Sequence, residues 1–138
     1  MIQIQSNGFR CRKKALLGIL RRIAAGLQLK GTVTIRIAAD EEVRALNKKY
    51  RRQDRVTDVL SFSLGEELPD GFYAGDIIVC QSVAEKQAHE NNHSLQKELL
   101  LLMIHGLLHL HGHDHEQDTG EMLALQQRLF AAHAGELE

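Results

Sequence analysis

Six apolar residues in succession, Leu99-Leu100-Leu101-Leu102-Met103-Ile104, constrain this chain more than any other stretch. Flanked by helix formers and started by Ser94 as an N-cap, they belong to one long helix from about Leu95 to His111. A helix apolar on every side must be surrounded by protein. The run is far short of the ~18–20 residues that a membrane span needs, so a membrane-spanning role is not expected. The remaining elements must therefore wrap this helix. With 138 residues, a single domain covering 1–138 is the expectation.

The wrapping elements can be read in order. Ile2–Ile4 alternates as a short strand, and Arg12–Leu27 carries Leu16, Leu20, Ile23 and Leu27 at helical spacing. Thr32–Ile37 alternates Val33, Ile35 and Ile37 against Thr34 and Arg36, the pattern of a half-buried strand. Asp40 reads as an N-cap for a helix to about Tyr50, and Arg51–Arg55 as a charged loop. Thr57–Phe62 and Gly75–Cys80 read as strands. Between them, Gly65–Gly71, with the single proline Pro69, reads as an exposed loop. Gln81–Asn91 is helical in composition. Gly112 is placed to end the long helix. Asp118 and Glu121 resemble a capping box for a last helix, Thr119–Ala132, with Met122, Leu125, Leu129 and Phe130 on its buried stripe. The fold class expected is α+β: a mixed four-stranded sheet packed against about five helices, with a central buried helix.

That central helix runs into His105-Gly106-Leu107-Leu108-His109-Leu110-His111-Gly112-His113-Asp114-His115, which holds five of the eight histidines. His105 and His109 are four apart, so both imidazoles leave one helical face a turn apart and can share a metal. Gly112 lets the chain turn back and bring His115 to the same point. Three neutral imidazoles with one open position describe a catalytic zinc site rather than a closed structural one. His111 points about 200° away from His109 on a helix, and His113 follows the break; both compete as ligands or neighbours. A histidine-rich tract with adventitious metal affinity is the plainest alternative. The spacing is also that of metzincin proteases, but their base, a Glu after the first His, is replaced here by Gly106.

Net charge is −1, an average over two unlike halves. Residues 1–55 hold 14 Lys and Arg against 4 acids; the rest hold 3 against 14. A basic half is suited to a polyanion. Cys11 and Cys80 make no disulfide framework and no CxxC pair, which fits reduced thiols in a cytoplasmic protein. The first residues show no signal-peptide pattern.

Taken together, three blocks resemble the YbeY endoribonuclease family, also described as rRNA maturation factors. They are the histidine segment, which matches the family's H-G-x-L-H-L-x-G-[YH]-D-H signature, the block Tyr50-Arg51 through Asp54 with Thr57-Asp58-Val59-Leu60-Ser61-Phe62, and Gly75-Asp76-Ile77. The chain departs from the family at Val56 and Ser63, where proline is usual; neither change removes a chemical group. The resemblance implies a metal-dependent, single-strand-specific endoribonuclease that matures small-subunit rRNA and acts in ribosome quality control. It implies one Zn²⁺ per chain, or nickel or another divalent ion, on His105, His109 and His115. Arg51 would be the functional arginine, clamping phosphate, with Arg52 and Arg55 widening the substrate-binding patch. Asp114, as a catalytic residue, and Asp76 are candidates for orienting a ligand or water. Asp58 reads as structural, and His89 and His93 as surface or capping residues. Base stacking would fall to Phe62, Phe72 or Tyr73. RNA, with ribosomal or assembly proteins, is the partner class. The alternatives are a metzincin-like protease and a non-catalytic assembly factor with a structural metal.

Overall fold

Alternation in the strands decides the layering, because side chains on successive residues face opposite sides of a sheet. In the computed structural model, which describes residues 1–112 and 120–137, four strands form one mixed sheet. They are β1 (Ile2–Gln5), β2 (Thr32–Ala38), β3 (Val59–Leu68) and β4 (Gly71–Cys80), in the order β1-β2-β4-β3. β1 and β4 run parallel to β2, and β3 runs antiparallel to β4 at the sheet's edge. Val33, Ile35, Ile37, Ile77 and Val79 face one side and are fully buried. The main core lies there, under α1 (Lys13–Leu27) and α4 (Leu95–Leu110). A smaller core of Ala38, Val43, Leu60, Ile78 and Cys80 lies on the other side, under α2 (Asp40–Arg51). Helices α3 (Gln81–Glu90) and α5 (Glu121–His133) pack against α4, and a short 3₁₀ turn, Ala134–Leu137, follows.

The expected α+β class, with a central buried helix, is what the chain adopts. Ser94 caps α4 through its hydroxyl, which accepts from Lys97 N at 3.2 Å. Every α4 residue from Glu98 to Leu108 is buried except Leu101 and His105, which with His109 form a half-buried stripe spaced by four. Gly112 takes φ +102° just past the helix end. No helix among the described residues is long and apolar enough to cross a membrane.

Several local expectations are corrected. Gly65–Leu68 is strand rather than loop: β3 and β4 pair out to Leu68↔Gly71, around a tight turn at Pro69 and Asp70. The glycine that signalled a loop instead forms an irregularity between Ser63 and Glu66, where Gly65 adopts φ +58° and pairing resumes beyond it. Such a bulge absorbs one break without ending the ladder. The segment is exposed, as expected. Asp40 is not the cap of α2; Ala39 holds that position, in extended backbone. The Asp40 carboxylate accepts from the Ser82 hydroxyl and the Cys80 thiol instead, and as the first helical residue it still complements the dipole. Arg51 is the last residue of α2 rather than part of a loop, and Arg52 ends the helix in the left-handed conformation, φ 57°. α5 begins at Glu121 after Gly120, so Glu121 cannot be the third residue of a capping box; Asp118 and Thr119 lie outside the described residues. Of its expected stripe only Met122 is fully buried, with Leu125, Leu129 and Phe130 half-buried against the core.

Candidate metal centre and its cavity

The half-buried stripe of α4 is where the two helical histidines emerge. Their Nε2 atoms stand 3.1 Å apart, and the ring centroids 4.6 Å. Two imidazole nitrogens each about 2.0–2.1 Å from a tetrahedral zinc stand about 3.3 Å from each other. The pair therefore stands close to the separation that a single shared ion demands. His105 Nδ1 lies 2.8 Å from Gln126 Oε1 on α5. An amide oxygen only accepts, so Nδ1 carries the proton and the Nε2 lone pair is directed at its neighbour. Metal-bound histidines are held in this way by an acceptor on the other ring nitrogen. The donor set fits a divalent ion. His113, Asp114 and His115 lie outside the described residues, and among the described residues no group of three ligating side chains converges.

Both rings line an open cavity of about 570 Å³ whose other walls include Arg51, Asp58, Ser61 and Ser63. Arg51 reaches it from the end of α2, around the edge of β3. Its guanidinium donates to Ser61 O at 2.8 Å and lies 5.6 Å from the centre of the Phe62 ring. A guanidinium carries five N–H donors, so one anchor does not exhaust it. Arg52 and Arg55 do not line this cavity; Arg55 donates to Gln53 Oε1 and Arg52 sits at the exposed helix end. Asp58 is tied into the start of β3: one carboxylate oxygen accepts from Val59 N at 2.7 Å, the other from Gln87 Nε2 at 3.3 Å.

Asp76 is not near the histidines. It lies on the α2 side of the sheet, where it and Thr34 bond the Tyr73 hydroxyl. Burial first, then the hydrogen bond to Asp76, pushes the Tyr73 phenol upward from its ordinary pKa. Strand alternation requires this placement, since the adjacent Ile77 faces α4. His93 is no surface residue either: its Nε2 meets the buried Glu98 carboxylate at 2.6 Å, and its ring packs near Phe130. His111 and His89 are exposed.

Gly106 shows why the first histidine is not followed by a larger residue. A Cβ there would stand 2.7 Å from Ile77 Cγ2 and 2.9 Å from Cδ1, in the fully buried interface between α4 and β4. Gly75 is equally constrained, with a Cβ falling 2.2 Å from Phe62 O. The first of these contacts lets the histidine-bearing helix lie close against the sheet. A protease-type glutamate at position 106 has no room.

Fold and cavity together define an α+β protein with a paired-imidazole centre facing a guanidinium. Comparison with known proteins narrows that class. The family described as Endoribonuclease YbeY matches residues 3–134. The Endoribonuclease YbeY of Koribacter versatilis (strain Ellin345) is 42% identical over 125 residues, covering 85% of this chain and 80% of that protein. The Aquifex aeolicus (strain VF5) Endoribonuclease YbeY is 47% identical over 89 residues, 64% of this chain and 59% of its own length. The solution structure of TM1509 from Thermotoga maritima superposes with a TM-score of 0.67 at 34% identity, over 99% of this chain and 91% of that one. The chain belongs to the YbeY endoribonuclease family.

Proposed function

We propose that this chain hydrolyses phosphodiester bonds in single-stranded RNA, using one divalent ion held by His105, His109 and His115. The observation that carries it is the 3.1 Å convergence of the two Nε2 atoms in a cavity that also holds Arg51. Family membership supplies the substrate class. Zinc suits three imidazoles, and nickel or another divalent ion fits the same donors. Bound there, such an ion would supply Lewis-acid chemistry, acidifying a water and polarising a phosphoryl oxygen.

The chain's own groups do the rest. Gln126 Oε1 keeps the proton on His105 Nδ1 and the opposite nitrogen free of one. Arg51, fixed by Ser61 O, presents its remaining donors to a phosphate. Asp58, on the cavity wall, adds negative charge that helps hold a cation and keeps the start of β3 in place. Asp114 is proposed to orient His115 or the attacking water. The physiological substrate is small-subunit rRNA in the cytoplasm, with ribosomal or assembly proteins as partners.

Gly106 speaks against the protease reading, because the base such an enzyme needs is absent and a larger side chain there would have to displace the buried Ile77. A structural-metal reading predicts binding without turnover. The test is cleavage of a short unstructured RNA by metal-loaded protein, with casein in parallel. Cleavage should stop on chelation, return with added zinc, and be absent in His109→Ala along with the metal. Full nuclease activity in metal-free His109→Ala would refute the proposal.

A further inference from the structure

We propose that a second cavity, on the α2 side of β3, is a subsite for the base of a nucleotide adjoining the scissile phosphate, with Tyr50 and Phe62 as its aromatic wall. The proposal rests on the RNA-cleaving reading above. The cavity has a volume of about 410 Å³ and is lined by Leu46, Tyr50, Phe62 and Leu64, with Arg36 and Asp76 among its polar residues. It lies back to back with the histidine cavity: Ser61 and Ser63 line both. Only β3 separates them, and β3 is the edge strand, so a substrate strand can pass over it from one cavity to the other.

The side chains on that path match a nucleotide. Tyr50 is 58% exposed and Leu64 44%, among the few large hydrophobic side chains left in solvent. The Tyr50 and Phe62 rings meet edge to face, with centroids 5.3 Å apart, and form an aromatic corner. Cations border both: the Lys49 ammonium is 5.1 Å from the Tyr50 ring centre, and the Arg51 guanidinium 5.6 Å from that of Phe62. A flat π-surface beside cations binds single-stranded nucleic acid, the base stacking while the phosphate is paired. An apolar peptide would use the aromatic corner but not the flanking charges or the continuity with Arg51. Phe72 and Tyr73, also aromatic, are otherwise engaged. Phe72 is half-buried and lines a different cavity, and the Tyr73 hydroxyl bonds Thr34 and Asp76.

The experiment compares wild type, Tyr50→Leu and Tyr50→Phe, all metal-loaded, on an unstructured RNA of about ten nucleotides. A set of the same RNA with one abasic position walked along it serves as control. Because Tyr50 is exposed, all three proteins should melt alike. Expected for Tyr50→Leu is a KM about tenfold higher on intact RNA, the size of one lost stacking contact. Tyr50→Phe should match wild type. On the RNA abasic at the stacked position, wild type should fall to the level of Tyr50→Leu, and the variant should lose nothing more. With chelated protein, 2-aminopurine at that position should be quenched on binding by wild type and Tyr50→Phe but not by Tyr50→Leu. An unchanged KM in Tyr50→Leu, or the same loss on every abasic RNA, overturns the subsite while RNA cleavage itself stands. If wild type cleaves no RNA at all, the functional reading fails first and this one with it.

Discussion

The proton on His105 Nδ1 determines what the other nitrogen of that ring can do, and Gln126 determines where the proton sits. Gln126→Leu should weaken zinc affinity by about 10–100-fold, the usual effect of removing such a partner. Gln126→Glu, which still accepts, should retain it. Competition with a chromophoric chelator measures both, and equal affinity in all three proteins would make the amide a bystander. Arg51→Ala should keep its metal while RNA turnover drops on the order of a hundredfold, as expected when one charge-stabilising donor is lost. Loss of metal in that variant would make Arg51 structural. At this scale the sequence was unevenly legible. A spacing of four on a helix identifies His105 and His109 without a structure. Gln126 lies 21 residues beyond His105, in a helix with no unusual pattern, and nothing local marks it. In the sequence Tyr50 marks only a helix end and the start of a motif block; its exposure beside Phe62 is a tertiary fact. Asp76 was readable but misplaced, because alternation from Ile77 already puts it on the opposite face.

Helix α4 carries the site because it is held flat against β4, and glycine makes that possible. Gly106→Ala must displace the buried Ile77 side chain, so it should destabilise the fold by about 1–3 kcal/mol, the cost of overpacking a filled core. Urea unfolding measures this; an unchanged midpoint would mean that the interface yields freely. Gly106→Glu should destabilise more and give no cleavage of casein, since the ligand spacing of a protease does not bring its geometry. The run from Leu99 to Ile104 announced the burial of α4, and the Ser94 cap announced its start. The β3–β4 hairpin was harder. Gly65, Pro69 and Gly71 each signal a break, yet one is a bulge and the others make a tight turn, and only ladder pairing distinguishes these from a loop. The cap of α2 misled for a related reason: Asp40 is favourable both at the cap and in the first turn, and sequence does not separate the two.

Across the molecule, charge and core are separate resources. Some cations of the basic half are spent on acids of the other half, as in Arg22–Glu136 and Lys30–Glu67. Lys48, Lys49, Arg51 and Arg52 are grouped at the end of α2, and Arg51 among them lines the histidine cavity. RNA affinity should therefore fall with salt, with a log–log slope of about −0.7 per phosphate neutralised on a single strand. A salt titration of Kd for wild type and Lys49→Ala checks it, and identical slopes would remove Lys49 from the contact. The core, by contrast, includes neither histidine of the proposed centre: His105 and His109 stay half-buried while both clusters are filled by apolar side chains. Small domains that depend on zinc for folding lose their structure when it is chelated. Here chelation should abolish cleavage and leave far-UV circular dichroism intact. The melting temperature should fall, because a ligand at a hundred times its Kd stabilises by about 2.7 kcal/mol, roughly 10 °C for a chain of this size. Zinc added back should restore both. Collapse of the helical signal on chelation would show that the ion holds the layers together, and that α4 is not anchored by Ile77 and its apolar neighbours alone.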